Sequence, residues 1–325
     1  MGSDGDHMAR AIRLGMRARG TTAENPPVGC VIARGAHVLG VGWTQAGGRP
    51  HAETAALAMA GAAARGAVAY VTLEPCAHHG RTGPCAEALI GAGIARVVCA
   101  TIDPDARVAG RGIAMLRAAG IAVDIGLGAG GAREALAGFL IRTTMQRPQV
   151  ILKLAVSADG MMASEVGVET RITGPETRAR VHLMRASADA ILVGRGTLAA
   201  DDPELNVRLP GLEDRAPKRF IATSGAIAPD AKVQPASVFH SQLSLPGALA
   251  GLAAQGINTL FVEGGAKLAR SFMAAGLVDK LYVFTAPITL GPSGLAAPLD
   301  AIAPGLRPVD EEQLGADRLT VYEPR

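Results

Sequence analysis

His51-Ala52-Glu53 is followed by Glu74-Pro75-Cys76 and then, after residues 77–84, by Cys85, and the rest of the chain is organised around this stretch. One neutral imidazole and two thiolates make a three-ligand set suited to zinc. Three protein ligands leave the fourth tetrahedral position to water, which is the arrangement of a catalytic site. Glu53 stands two residues after His51, within reach of such a water and not needed as a ligand, where a proton shuttle belongs. The His-x-Glu and Pro-Cys halves together are the pattern of zinc-dependent base deamination. Two plainer readings compete. Cys76 and Cys85 are buried thiols and His51 a helix-start histidine, or His78 or His79 closes the set as a structural site. Glu53 favours the catalytic reading, because a structural zinc has no use for it.

The elements around this stretch read as alternating helix and strand. Residues 7–18 carry apolar side chains at helical spacing between arginines, and residues 28–33 and 38–41 read as two strands joined at Arg34-Gly35. Pro50 precedes a helix over residues 51–64, which puts His51 and Glu53 in its first turn. Residues 67–73 form a buried strand ending at Glu74-Pro75, so Cys76 lies just past a strand end, and Cys85 begins a helix over residues 85–91. A strand over 97–101, a helix over 113–119, a strand over 121–125 and a helix over 132–142 follow. This is a mixed α/β layer in which the ligands collect where two helix starts face one strand end. Cys30 and Cys99 fall on apolar strands and read as core residues.

With 325 residues the chain predicts two domains, and Gln146-Arg147-Pro148, where proline stops a helix just before a new apolar run, marks the change. The expected division is 1–146 and 147–325. A formal net charge of +3 with no basic run, and only 3% aromatic residues, gives neither the charged stripe nor the stacking platform of a nucleic-acid binder. Isolated arginines instead suit phosphorylated small molecules. No apolar run reaches the ~18 residues that span a membrane, and the start lacks a secretory layout. The cytoplasm, where free thiols persist, is the expected compartment.

The residues between Cys76 and Cys85, flanked by Glu74-Pro75 and Pro84, resemble the deaminase domain of the bacterial bifunctional riboflavin-biosynthesis deaminase/reductase family. Asn25-Pro26-Pro27-Val28-Gly29-Cys30, Asp103-Pro104 and Val108-Ala109-Gly110-Arg111-Gly112 continue the likeness. It implies a cytidine-deaminase-like zinc domain with His51, Cys76 and Cys85 on Zn2+, Glu53 as the catalytic group, and Asn25, His78 and Arg81 holding substrate.

In the second half, residues 150–156 read as a strand interrupted by Lys153, and Ser157-Ala158-Asp159-Gly160 follows. Residues 258–262 read as another strand, turning at Glu263-Gly264-Gly265 into a helix over 266–275, and residues 280–286 complete the sheet. There is no Gly-x-Gly-x-x-Gly after a first strand, so an ordinary Rossmann unit is not expected. Lys153 to Gly160, Arg171-Ile172-Thr173-Gly174, Asp189 to Gly194 and Thr197 to Arg208 resemble the reductase half of the same family. That likeness implies a dihydrofolate-reductase-like domain binding NADPH near Ala155, Arg171, Thr197, Asp201, Ser224 and Gly265. Glu169, Arg185, Leu205, Arg208 and Glu263 fall where substrate is held, with Arg185 and Arg208 suited to grip phosphate, and Lys153 is the candidate catalytic group. Glu169-Thr170-Arg171 stands where the family typically has serine, glutamine and tryptophan. That leaves open the alternative of an active deaminase whose second half has weak or lost reductase activity. The family likeness further implies a small phosphoribosylated pyrimidine substrate and a homo-oligomer.

Overall fold

The computed structural model describes residues 2–79, 83–106, 108–240 and 244–325. The chain divides into two compact units, Met1–Gln146 and Arg147–Arg325.

The first unit opens with α1 (Asp4–Ala18), one turn earlier than its apolar spacing indicates. The extra turn comes from a capping box: Ser3 Oγ accepts from the Asp6 amide, and Asp6 accepts from the Ser3 amide at 2.9 Å. Strands β1 (Gly29–Arg34) and β2 (His37–Trp43) form a hairpin whose turn uses Gly35 at φ +57°. Then come α2 (Ala52–Ala60), β3 (Val68–Val71), α3 (Cys85–Gly91), β4 (Arg96–Cys99), α4 (Arg111–Ala118), β5 (Ala122–Ile125) and α5 (Ala129–Met145). The α-helix that begins after His51 stops at Ala60, short of 64, because Gly61 takes φ +54° and the chain tightens into a 3-10 turn. The sheet order is β2-β1-β3-β4-β5, antiparallel on its first half and parallel over β3, β4 and β5. Alanine-rich helices lie close on it, and Cys30 and Cys99 are wholly buried in the core between them.

Close approach depends on glycine at one crossing in particular. A Cβ built on Gly29 would stand 1.8 Å from the Ala11 carbonyl oxygen and 2.7 Å from the Gly15 amide nitrogen, so α1 sits directly on the β1 backbone. Gly29→Ala is therefore expected to cost about 1–3 kcal/mol through overpacking. Thermal unfolding of the full chain checks this, the transition of the first unit moving down while that of the second stays.

The second unit contains β6 (Gln149–Ser157), β7 (Met161–Ala163), α6 (Pro175–Ala186), β8 (Ala190–Gly194), α7 (Arg195–Asp201), β9 (Lys218–Thr223), β10 (Ala236–His240), α8 (Leu245–Ala254), β11 (Thr259–Val262), α9 (Ala266–Ala274), β12 (Lys280–Ala286), β13 (Leu295–Ala296), β14 (Leu306–Leu314) and β15 (Asp317–Pro324). Its large sheet runs β10-β9-β8-β11-β6-β12-β15-β14, with the first six strands parallel and the last two antiparallel. β12 therefore does not complete the sheet, as its sequence suggested. β15 pairs with β12, and β14 forms the outer edge. Edge strand β14 is exposed along most of its length, carries Asp310-Glu311-Glu312 and shifts register beside Pro308, so it shows no buried alternation to read. On β6, Val150, Leu152, Leu154 and Val156 enter one core while Ile151 enters the other. Half-buried Lys153 and Ala155 continue the Ile151 face.

Candidate functional site

In the first unit, three separate elements deliver three ligand atoms to one corner. His51 is the residue preceding α2, Cys85 is the first residue of α3, and Cys76 lies beyond the end of β3. Their donor atoms all fall within 4.8 Å of one another. His51 Nδ1 is 3.3 Å from Cys85 Sγ and 3.7 Å from Cys76 Sγ. A tetrahedral zinc with Zn–S of about 2.3 Å and Zn–N of about 2.0–2.1 Å has N···S edges of roughly 3.5 Å, so the donor set and its spacing fit zinc. No fourth His, Cys, Asp or Glu joins the group among the described residues. His79 pairs instead with Glu87 at 3.3 Å. The protein already favours a thiolate here. The Cys85 thiol beside it, and His51, hold Cys76 down at about 4 against the opposing effect of burial, and the Cys85 amide donates to its sulfur at 3.2 Å.

Glu53, in the first turn of α2, is 4% exposed. Burial, reinforced by the Cys76 charge, pushes its carboxyl up to about 7. A carboxyl titrating near neutrality beside the ligand triangle is matched to giving and taking a proton, and a dication in the triangle pulls it back toward ionisation.

Asn25 is half-buried and lies against Gly48, where a Cβ would stand 2.0 Å from Asn25 Nδ2; Gly48 takes φ +87°. Asn25 is thus held against Gly48, three residues ahead of His51. His78 follows Cys76 by two residues, and its Nδ1 is buried without a hydrogen-bond partner among the described residues. Arg81 lies outside the described residues.

In the second unit, Thr197 and Asp201 follow β8, Ser224 follows β9, and Glu263 and Gly265 follow β11, past the carboxyl ends of parallel strands where open α/β sheets hold ligands, while Lys153 and Ala155 lie within β6. Glu263 follows β11, with its side chain only 10% exposed. It accepts from Arg185 Nε at 2.5 Å and Nη2 at 3.1 Å, and Lys153 Nζ is 3.9 Å away. Burial pushes against ionisation of Glu263, but Arg185 and then Lys153 prevail and hold its carboxyl below the ordinary glutamate range. Lys153 is pushed down by burial, with Glu263 and Asp201 partly opposing and Arg185 adding to the effect. Arg185 also donates to the Asn206 carbonyl at 3.0 Å, so it is not the free phosphate grip its sequence position suggested. Its guanidinium is buried and bonded to Glu263.

The remaining candidates surround this cluster unevenly. Gly265 precedes α9, and Thr197 of α7 stands 3.4 Å from where its Cβ would be, so these two approach closely. Asp201 ends α7 and feels the charges of Glu169 and Lys153; burial, then Glu169, raises its carboxyl. Leu205 is 3% exposed within the core at φ +50°, so what it can offer a ligand is its main chain. Ser224 is exposed just past β9, and Glu169 and Arg171 are exposed ahead of α6. Arg208 is exposed and pairs with Glu204 at 3.2 Å and Asn206 Oδ1 at 2.8 Å, which leaves it the better placed arginine for an anion. Sequence reading passed over Asn206, whose contribution is a carbonyl oxygen and carries no residue-type signal.

Residues 148–318 match the family described as the RibD C-terminal domain, and residues 1–101 match the cytidine and deoxycytidylate deaminase zinc-binding region. The riboflavin biosynthesis protein RibD of Escherichia coli is 41% identical, with 88% of each chain covered, and that of Haemophilus influenzae is 39% identical, covering 98% of this chain and 96% of its own. Among solved structures, Acinetobacter baumannii RibD superposes with a TM-score of 0.90 at 38% identity. A diaminohydroxyphosphoribosylaminopyrimidine deaminase/5-amino-6-(5-phosphoribosylamino)uracil reductase from Thermotoga maritima gives 0.87 at 31%, and each covers 99% of both chains. The second unit accordingly has the dihydrofolate-reductase-like fold and the first the cytidine-deaminase-like one. A zinc triangle on one α/β unit, a reductase sheet on the next and likeness along the full length together place this chain in the RibD family of riboflavin biosynthesis proteins.

Proposed function

We propose that the chain catalyses two successive steps on one phosphoribosylated diaminopyrimidinone. The first is zinc-dependent hydrolytic deamination of 2,5-diamino-6-(5-phosphoribosylamino)pyrimidin-4-one. The second is NADPH-dependent reduction of its ribosyl group to ribityl. The observation that carries the reading is the His51, Cys76, Cys85 triangle with a buried carboxyl of raised pKa, Glu53, beside it.

In the first step His51, Cys76 and Cys85 hold zinc, which when bound supplies Lewis-acid activation of water near neutral pH. Glu53 would take the proton from the attacking water and return it to the departing amine nitrogen, so that ammonia leaves. Asn25, His78 and Arg81 hold the substrate. In the second step NADPH, when bound, supplies the hydride. Ala155, Thr197, Asp201, Ser224, Gly265 and Arg171 hold the cofactor. Arg185 keeps Glu263 ionised and oriented as an acceptor for sugar hydroxyls, Leu205 contributes main chain, and Glu169 lies at the substrate edge. Arg208 meets the phosphate, and Lys153, its pKa lowered by burial, donates a proton next to the reacting carbon.

One assay on the full chain, following ammonia release and NADPH oxidation on the pyrimidine substrate, tests the whole assignment. Accumulation of the deaminated intermediate while NADPH is present would rule out an active reductase half. Lys153→Met is expected to slow NADPH oxidation by about 100-fold or more with ammonia release unchanged; equal rates would remove Lys153 from the chemistry. A homo-oligomer in the cytoplasm completes the reading. Sedimentation of the purified chain checks the first point and cell fractionation the second.

A further inference from the structure

We infer that Glu74 is a positioning residue of the deaminase site: its carboxylate joins the strand end that carries Cys76 to the start of α4 and so sets where the Cys76 sulfur stands. Glu74 is 3% exposed, and no basic side chain is paired with it among the described residues. Among the described residues its charge is met by backbone amides of a distant segment. Oε2 accepts from Gly110 at 2.9 Å and Asp103 at 3.3 Å, and Oε1 accepts from Ile113 at 3.2 Å.

The segment that donates these bonds needs them. α4 is preceded by Gly110 at φ +83°, which has no side chain with which to cap the helix. Ile113 is the third helical residue, so its amide is one of those left without an intrahelical acceptor. Glu74 therefore acts as the N-cap of α4 from another part of the chain, with its negative charge at the favourable end of the helix dipole.

The contact reaches the next residue as well. A Cβ on Gly112 would stand 2.0 Å from the Pro75 carbonyl oxygen, so the first turn of α4 rests on the Pro75 backbone. On the other side, the Glu74 amide donates to the Thr101 carbonyl at 3.0 Å. Cys76, the residue after Pro75, accepts from the Ala86 amide through its carbonyl and from the Cys85 amide through its sulfur, both at 3.2 Å. With Glu74 and Pro75 held on α4, and Cys76 held on α3, the sulfur has a single place. Groups that orient metal ligands in this way typically cost 10–100-fold in metal affinity or activity when removed.

Glu74→Gln keeps size and one acceptor oxygen but turns an amide N–H toward a backbone N–H that needs an acceptor. The consequence for metal rests on the zinc reading above, so the experiment separates the two. The metal-free full chain is titrated with Co2+, following its d–d and thiolate charge-transfer bands. The variant is expected to bind 10–100-fold more weakly and with altered band intensities, while NADPH oxidation on the deaminated substrate is unchanged. Gly29→Ala serves as the comparison for general destabilisation: it lowers the unfolding temperature of the first unit without altering the Co2+ spectrum. Wild-type affinity and spectrum in Glu74→Gln would overturn the inference alone, whereas no saturable Co2+ binding by the wild type would overturn it together with the zinc reading. If the variant does not fold, amide hydrogen exchange of the wild type decides. Binding coupled to this joint must protect residues 103–113 when Co2+ is added, and unchanged exchange there would overturn the inference.

Discussion

Glu53→Gln is expected to leave one zinc bound per chain and to lower ammonia release by two to four orders of magnitude, the usual worth of a positioned general acid–base. The amide matches the carboxyl in shape, and Glu53 is not in the ligand triangle, so metal content should not change. What is lost is the ability to hold a proton. Burial and the Cys76 charge raise the carboxyl and a bound dication opposes them, so it can both accept from water and donate to a leaving amine. Glutamine does neither. Zinc content by atomic absorption and ammonia release by a coupled assay check the two halves of this expectation, and NADPH oxidation on the deaminated substrate serves as the internal control. Turnover within tenfold of wild type, with zinc retained, would remove Glu53 from the mechanism.

Arg185→Leu is expected to destabilise the second unit by about 3–5 kcal/mol, because it leaves the Glu263 carboxylate buried with Lys153 3.9 Å away as its remaining cation. The pH dependence should reverse as well. In the wild type the Glu263 pKa is held below its unfolded value near 4.5. Its contribution is therefore present above that value and lost as pH falls through the lower folded one. Without Arg185, burial prevails and the folded pKa rises above 4.5. Protonation then favours the fold, so the variant is more stable near pH 5 than near pH 7. Urea unfolding of the second unit at both pH values measures this. Arg185→Lys should recover only part of the loss, since an ammonium cannot reproduce the two-pronged contact. A loss below 1 kcal/mol, or the same pH trend as wild type, would show that the pair does not stabilise the site.

The metal triangle was legible because its chemistry is written in residue types that have few other uses together, and because helix starts and strand ends announce themselves through proline and apolar periodicity. His51, Glu53, Cys76 and Cys85 could be placed on their elements without coordinates for the same reason. The reductase half was less legible. Its β14–β15 hairpin lies at an exposed, acidic sheet edge, where burial imposes no alternation on the sequence. The two arginines of that half looked alike in the chain. Only packing made Arg185 a buried partner of Glu263 and left Arg208 exposed.

The amino-acid sequence by itself determined the α/β class and the ligand set, and it put Glu53 two residues from His51, because periodicity and donor chemistry are local properties. Tertiary structure alone decided which charges meet. Whether Glu74 caps a helix 36 residues away, or Arg185 is bonded before any ligand arrives, depends on contacts between segments whose separation along the chain carries no signal.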